Sequence, residues 1–336
     1  MSLVSRIAIF FAACAMLVAG TAATPAAEGM QIRVARQPGV VYLQAILMEE
    51  KKLIEKHAAA LGLKDVKVEW RIITSGGVMT ESLISDSIDV AITGLSNMLL
   101  AWAKTNGGVK SLAGVAGVPF LLVTRNPNIK KITDFGPEDR IAVPTIRASM
   151  QAMMLGMALE KTYGMGAHGR LDVNQVQLGH PDALQAILNP RHEVASHFSI
   201  PPFQQIALKS PTIHVVLNSM EALGGPATVT NAWMAQKFVD ANPLKVKALL
   251  AALDEASDMI AKDPKAAADV YLAVTKEKIS PEELVAVIKE QGAIFSATPQ
   301  RSMLYAEYMH RIGMIKTKPA SWKDYFFPMV HDRPGS

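Results

Sequence analysis

The chain has 336 residues, half of them hydrophobic and 19% charged, with a formal net charge of +4. Its basic residues are dispersed in pairs such as Lys51-Lys52 and Lys130-Lys131, not gathered into the basic face that nucleic-acid binding requires. The single cysteine, Cys14, falls inside an apolar leader, so the mature chain is expected to lack disulfides, thiolate metal sites and a cysteine nucleophile.

Arg6 is the only charged residue before Glu28. The apolar run Ile7–Ala19 follows it, then small residues through Ala27. This is the pattern of a secretory signal peptide over 1–27, and the run is shorter than the roughly 20 residues that span a bilayer. Cys14 has Ala15-Met16-Leu17-Val18 still to come, so it reads as part of the signal and not as a lipidated N-terminus. Removing the signal leaves about 310 residues, enough for two lobes with their own cores. The later apolar segment 109–123 is broken by Gly114, Gly117 and Pro119, so no other stretch has transmembrane character.

Gln31–Ala35 alternates like a strand, and 43–61 has apolar residues at helical spacing, stopped by Gly62. Val66–Ile72 alternates again. Thr74-Ser75-Gly76-Gly77 then leads into a short helix over 78–84, a buried strand over 88–92 and a helix over 95–104. Strand, helix, strand, helix, strand implies a parallel sheet with right-handed crossovers.

The pattern restarts with a strand at 140–143, a loop at 144–148 and a helix at 149–163 closed by Gly164. A strand at 173–178, a helix at 182–188 and a strand at 194–198 complete a second α/β unit. The apolar stretches 120–124 and 213–217 read as strands that cross between the lobes. The expected division is lobe 1 from 28–122 and 215–336, and lobe 2 from 123–214. Helices over 243–261, 265–274, 281–291 and 299–312 end the chain. Ser280-Pro281-Glu282-Glu283 has the residues of a capping box.

Open α/β sheets bind ligands beyond the carboxyl ends of their strands. Here those ends run over 37–42, with Gln37, Val41 and Tyr42, then Ser75, Gly76 and Gly77, then Gly94, Ser96 and Asn97. In the second unit they carry Thr145, Arg147 and Ser149, then His180, then Phe198 followed by Ser199, Ile200 and Pro201. Ser75–Gly77 and 145–149 each precede a helix, whose exposed N–H groups favour an anion. Arg147 would add a bidentate contact. The alternative is that Ser75 and Ser149 only cap their helices and Arg147 is solvated. Tyr42, Trp102, Phe198 and Phe203 are candidate aromatic walls. His180, His192 and His197 fit no helical metal motif, so no metal or cofactor is expected. Met150, Met153, Met154 and Met157 share a helical stripe with Leu155 and Leu159 and read as core. No Gly-x-Ser-x-Gly elbow or Gly-Lys-Ser phosphate loop is present in the sequence.

The order of these pieces resembles the solute-binding proteins of ABC importers, in the nitrate, sulfonate and taurine group that shares its fold with thiamine-pyrimidine precursor proteins (NMT1/THI5-like). The matching stretches are Ser87–Gly94, Ile129–Phe135 leading into 140–144, Gly179–Leu188 and the closing helices. Pro137-Glu138-Asp139 and Asn189–Glu193 depart from the family's usual turns. The resemblance implies a two-lobed, type II-like periplasmic binding fold, each lobe a mainly parallel sheet flanked by helices. It implies a monomeric periplasmic protein that closes on a small ligand, such as a sulfonate, a nitrate-like oxyanion, an aromatic carboxylate or a pyrimidine, and delivers it to an inner-membrane ABC permease. The weakly polar loop Gly94-Leu95-Ser96-Asn97, with Tyr42 and Phe198, favours an organic anion. An exported enzyme on the same scaffold, or a receptor presenting ligand to a sensor, are the alternatives.

Overall fold

The structure is a computed structural model that describes residues 31–336. The signal peptide read over 1–27, Cys14 included, lies outside the described residues. In chain order, the first lobe opens with β1 (Gln31–Arg36), α1 (Leu43–Glu50), α2 (Leu53–Ala60), β2 (Lys67–Ile72), α3 (Gly76–Ile84), β3 (Val90–Gly94), α4 (Leu95–Lys104) and β4 (Val109–Gly117). The second lobe contains β5 (Leu121–Thr124), β6 (Ile141–Val143), α5 (Met150–Tyr163), β7 (Gln175–Gln177), α6 (His180–Leu188), β8 (Ser196–Ser199), α7 (Phe203–Leu208) and β9 (His214–Asn218). The chain returns through α8 (Ser219–Leu223) to β10 (Thr230–Ala235), α9 (Gln236–Ala241), α10 (Pro243–Lys262), α11 (Pro264–Thr275), α12 (Pro281–Ile288), β11 (Ile294–Phe295) and α13 (Met303–Arg311).

Two sheets result, in the orders β11-β4-β10-β3-β1-β2 and β7-β6-β8-β5-β9. The parallel parts are β2-β1-β3 and β7-β6-β8, the two βαβ units read from the sequence. Each sheet is completed by antiparallel strands, β10, β4 and β11 in the first and β5 and β9 in the second. Both sheets are therefore mixed, not mainly parallel. The added strands enter from outside the βαβ units, so no crossover helix forces them parallel.

The two apolar strands expected as crossings form as strands, but β5 and β9 both belong to the second sheet, where they pair side by side. The chain passes between sheets at 118–120 and again through α8 and 224–229. The divisions at 122/123 and 214/215 thus fall inside β5 and β9. The helix expected over 43–61 is split, because Lys52 adopts a left-handed φ of 49° between α1 and α2. Both halves pack on α10. Ser280 and Glu283 form the expected capping box, with Ser280 Oγ accepting from Glu283 N at 3.1 Å and Glu283 Oε2 from Ser280 N at 2.8 Å. Among the described residues, no helix is long and apolar enough to cross a membrane.

Candidate functional site

The carboxyl ends of β1, β3, β6 and β8 meet where the two lobes face each other. They enclose a cavity of about 20 Å³, room for about one water. The lobes touch around it. Val40 N donates to Pro201 O at 2.9 Å, Ser96 Oγ to Ala148 O at 2.6 Å, and Gly77 N to Thr145 Oγ1 at 3.4 Å. Gly39, with a φ of 128°, permits the first of these contacts, since a Cβ there would lie 2.6 Å from Ile200 Cδ1.

Eight of the residues singled out from the sequence line this cavity: Gln37, Tyr42, Gly76, Gly94, Asn97, Thr145, Ser149 and His180. Gln37 is held by lobe 1, with its amide oxygen fully used. Its Nε2 donates to Thr74 O at 2.7 Å, and its Oε1 accepts from Tyr42 Oη at 2.9 Å and Thr93 Oγ1 at 2.5 Å. Burial raises the Tyr42 phenol above its ordinary pKa, so it stays a neutral donor. Asn97 is buried and forms no side-chain hydrogen bond among the described residues. A Cβ on Gly76 would collide with it.

Five others do not line the cavity. Ser75 caps α3, accepting from Val78 N at 3.4 Å. Gly77 is spent on the contact to Thr145, and Ser96 on the contact to Ala148. Phe198 is fully buried in β8 beside Leu122. Arg147 has a left-handed φ of 59° and turns outward, its Nε 2.8 Å from Asp172 Oδ2 and its side chain 66% exposed. It lines a separate surface cavity with His168, Asp172 and Tyr308. Of the remaining aromatic candidates, Trp102 packs edge-on to Tyr325 in the lobe 1 core, and Phe203 stacks on the His180 ring.

Val41 and Ile200, at the strand ends 37–42 and 199–201, also line the cavity; the residues missed were Phe120, Pro144, Met150, Gln151 and Thr230. Gln151 sits inside the methionine-rich stretch, one residue past the start of α5, and that helix-start position was its only signal. Thr230 opens a strand with no alternating pattern, and Phe120 sits in a crossing between the sheets.

Two properties define the cleft. No lysine, arginine, aspartate or glutamate lines it. Four helices also begin at it: α3 at Gly76, α4 after Gly94, α5 after Ser149 and α6 at His180. Each N-terminus contributes about half a positive charge. His180, buried, is pushed down to about 3 by desolvation and is neutral at pH 7. Backbone N–H groups at helix N-termini are neutral dipoles that favour negative charge. Among the described residues, no cluster of three or more histidine, cysteine or acidic side chains is placed to hold a metal ion.

A family model described as NMT1/THI5 like matches residues 64–267. No curated protein sequence matches the chain significantly. Among solved structures, the chain is similar to the alkanesulfonate-binding protein SsuA from Xanthomonas axonopodis pv. citri bound to MOPS. That match has a TM-score of 0.69 at 18% identity, covering 87% of this chain and 96% of that one. It is also similar to the periplasmic aliphatic sulphonate-binding protein SsuA of Escherichia coli, with a TM-score of 0.63 at 17% identity, covering 89% and 92%. A Candida albicans gene product with the generic periplasmic binding protein fold matches with a TM-score of 0.68 at 13% identity, covering 88% and 96%. At these identities the likeness shows the periplasmic binding protein fold.

Proposed function

The chain belongs to the NMT1/THI5-like family, and from that premise we propose that it is the periplasmic substrate-binding component of an ABC importer. It captures a small organic anion between its lobes and delivers it to a membrane permease, without chemistry of its own. The observation that carries this reading is the convergence of four helix N-termini on one uncharged inter-lobe cavity. An anion at a helix N-terminus gains roughly 0.3–1 kcal/mol, and up to ~2 where partly buried. Val41, Phe120, Met150 and Ile200 supply apolar walls for an organic body. The sulfonates named for two of the similar structures are one candidate class; aromatic carboxylates are another.

A cavity of about 20 Å³ excludes any such molecule while the lobes touch. Capture therefore requires the lobes to part about the two connections at 118–120 and 219–229, and to close again on the ligand. The two ionisable side chains lining the cleft, Tyr42 and His180, are both held neutral by burial, which suits binding better than acid–base turnover.

A thermal-shift screen tests the reading, using alkanesulfonates, aromatic carboxylates, nitrate, sulfate and pyrimidines. A ligand at 100 times its Kd stabilises by about 2.7 kcal/mol. The expected result is a shift with an organic anion that is recovered intact. A shift confined to pyrimidines would replace the anion, and consumption of the ligand would establish an enzyme.

A further inference from the structure

Behind the cleft, Gln151, His180 and His197 form a buried chain. Gln151 Nε2 lies 3.1 Å from His180 Nε2, and His180 Nδ1 lies 2.8 Å from His197 Nε2. The far nitrogen, His197 Nδ1, is buried with no partner. Gln151 and His180 line the cavity, whereas His197 is wholly buried on β8. No acidic side chain bonds either ring among the described residues. Burial pushes both rings down, His180 to about 3 and His197 well below its ordinary value with His180 adding to the effect. Both are neutral at pH 7.

A neutral imidazole carries one N–H and one bare nitrogen. The 2.8 Å contact between the rings therefore holds one proton, and its owner decides everything else. If His180 Nδ1 owned it, His197 would carry its own proton on Nδ1, a buried N–H facing nothing. His180 Nε2 would then be bare and would take the Gln151 amide N–H, leaving the amide oxygen toward the cleft. If His197 Nε2 owns it, the orphan is a bare nitrogen at His197 Nδ1. His180 Nε2 then carries a proton, and the Gln151 amide turns its oxygen to accept it. Orphaned buried N–H groups are the rarer and costlier kind in backbone accounting, and the same reasoning favours the second arrangement.

We propose that His197, acting through His180, fixes the Gln151 amide with its NH₂ toward the cleft, as a neutral donor to an anionic ligand. The chain runs His197 Nε2–H to His180 Nδ1, then His180 Nε2–H to Gln151 Oε1. His197 is a positioning residue that never touches the ligand. The donor role toward an anion rests on the function proposed above; the direction of the chain does not.

Long-range ¹H–¹⁵N spectra of the ¹⁵N-labelled protein at pH 7 read the direction without any ligand. The expected result is both rings neutral and protonated at Nε2. A proton on His180 Nδ1, or an imidazolium at either ring, would overturn the proposal. The binding arm uses an alkanesulfonate with His197→Phe and His197→Gln. The phenylalanine should weaken binding about tenfold, the worth of one hydrogen bond to a charged group, and glutamine, whose amide can donate to His180 Nδ1, should restore it. Equal affinities for both variants and the unaltered protein would overturn the proposal. The spectrum of the unaltered protein decides it whether or not either variant folds. Expected spectra with no anion binding would fail the proposed function and leave the chain standing; anion binding with His180 protonated at Nδ1 would do the reverse.

Discussion

The loops 75–77 and 145–149 have the same local design and opposite outcomes. Each follows a strand of a parallel core, ends in a short polar or glycine run and starts a helix. In the first, Gly76 faces the cavity and Ser75 caps α3. In the second, Thr145 and Ser149 face the cavity, but the left-handed turn at Arg147 carries the one cation of the loop out to Asp172. Helix dipoles and neutral side chains thus line the cleft, and the one cation of the two loops sits outside it. Neutral donors hold an anion without a buried cation that would need its own partner when the site is empty.

The largest expected effect tests the neutral-donor side of that comparison. Asn97, opposite Gly76, has an unspent amide. Asn97→Ala should remove a hydrogen bond to charge worth about 1.5–3 kcal/mol, weakening anion binding by roughly 10- to 150-fold in a calorimetric titration.

Acid should separate the two sides next. The 145–149 side is backed by His180 and His197, both with lowered pKa values. The unfolded chain protonates its histidines near pH 6.5 while the folded rings resist, so stability is full above that value and falls as pH drops below it. For His180, the loss between pH 8 and pH 5 should be about 2 kcal/mol, with His197 adding in the same direction. Denaturant melts across that range measure it, and a double His180→Phe, His197→Phe variant should show a flatter profile.

Smaller effects separate the two caps. Ser149 Oγ accepts from Ala152 N at 3.3 Å and is buried, while Ser75 is half-buried. Ser149→Ala should cost about 1–2 kcal/mol and Ser75→Ala about 0.5–1 kcal/mol in thermal melts. The smallest effect falls on Arg147. Its ion pair is exposed, so Arg147→Ala should change stability by no more than ~0.5 kcal/mol and leave ligand affinity unchanged.

The parallel half of each sheet was legible because helical and strand periods alternate cleanly from 31 to 104 and from 140 to 198. The antiparallel half was not. β4 (VKSLAGVAG) and β10 (TNAWMA) are rich in small residues and buried almost throughout, so no period-two signal survives. The strand-end rule located most of the cleft. Arg147 and Phe198 do not line it: the direction of Arg147 depends on one backbone dihedral, and all four residues of β8 are buried, so pattern cannot separate cleft from core. Gln151 was hidden because a run of methionines drew the reading of α5 toward packing.

The central claim is that an organic anion is held between the lobes by neutral donors. The most direct test is a crystal structure with the ligand that gives the largest thermal shift. The account expects the acidic group among the N-termini of α3, α4, α5 and α6, within hydrogen-bonding reach of Asn97 and Gln151. An acidic group bound at Arg147 and Asp172, or any site outside the inter-lobe cleft, would contradict it.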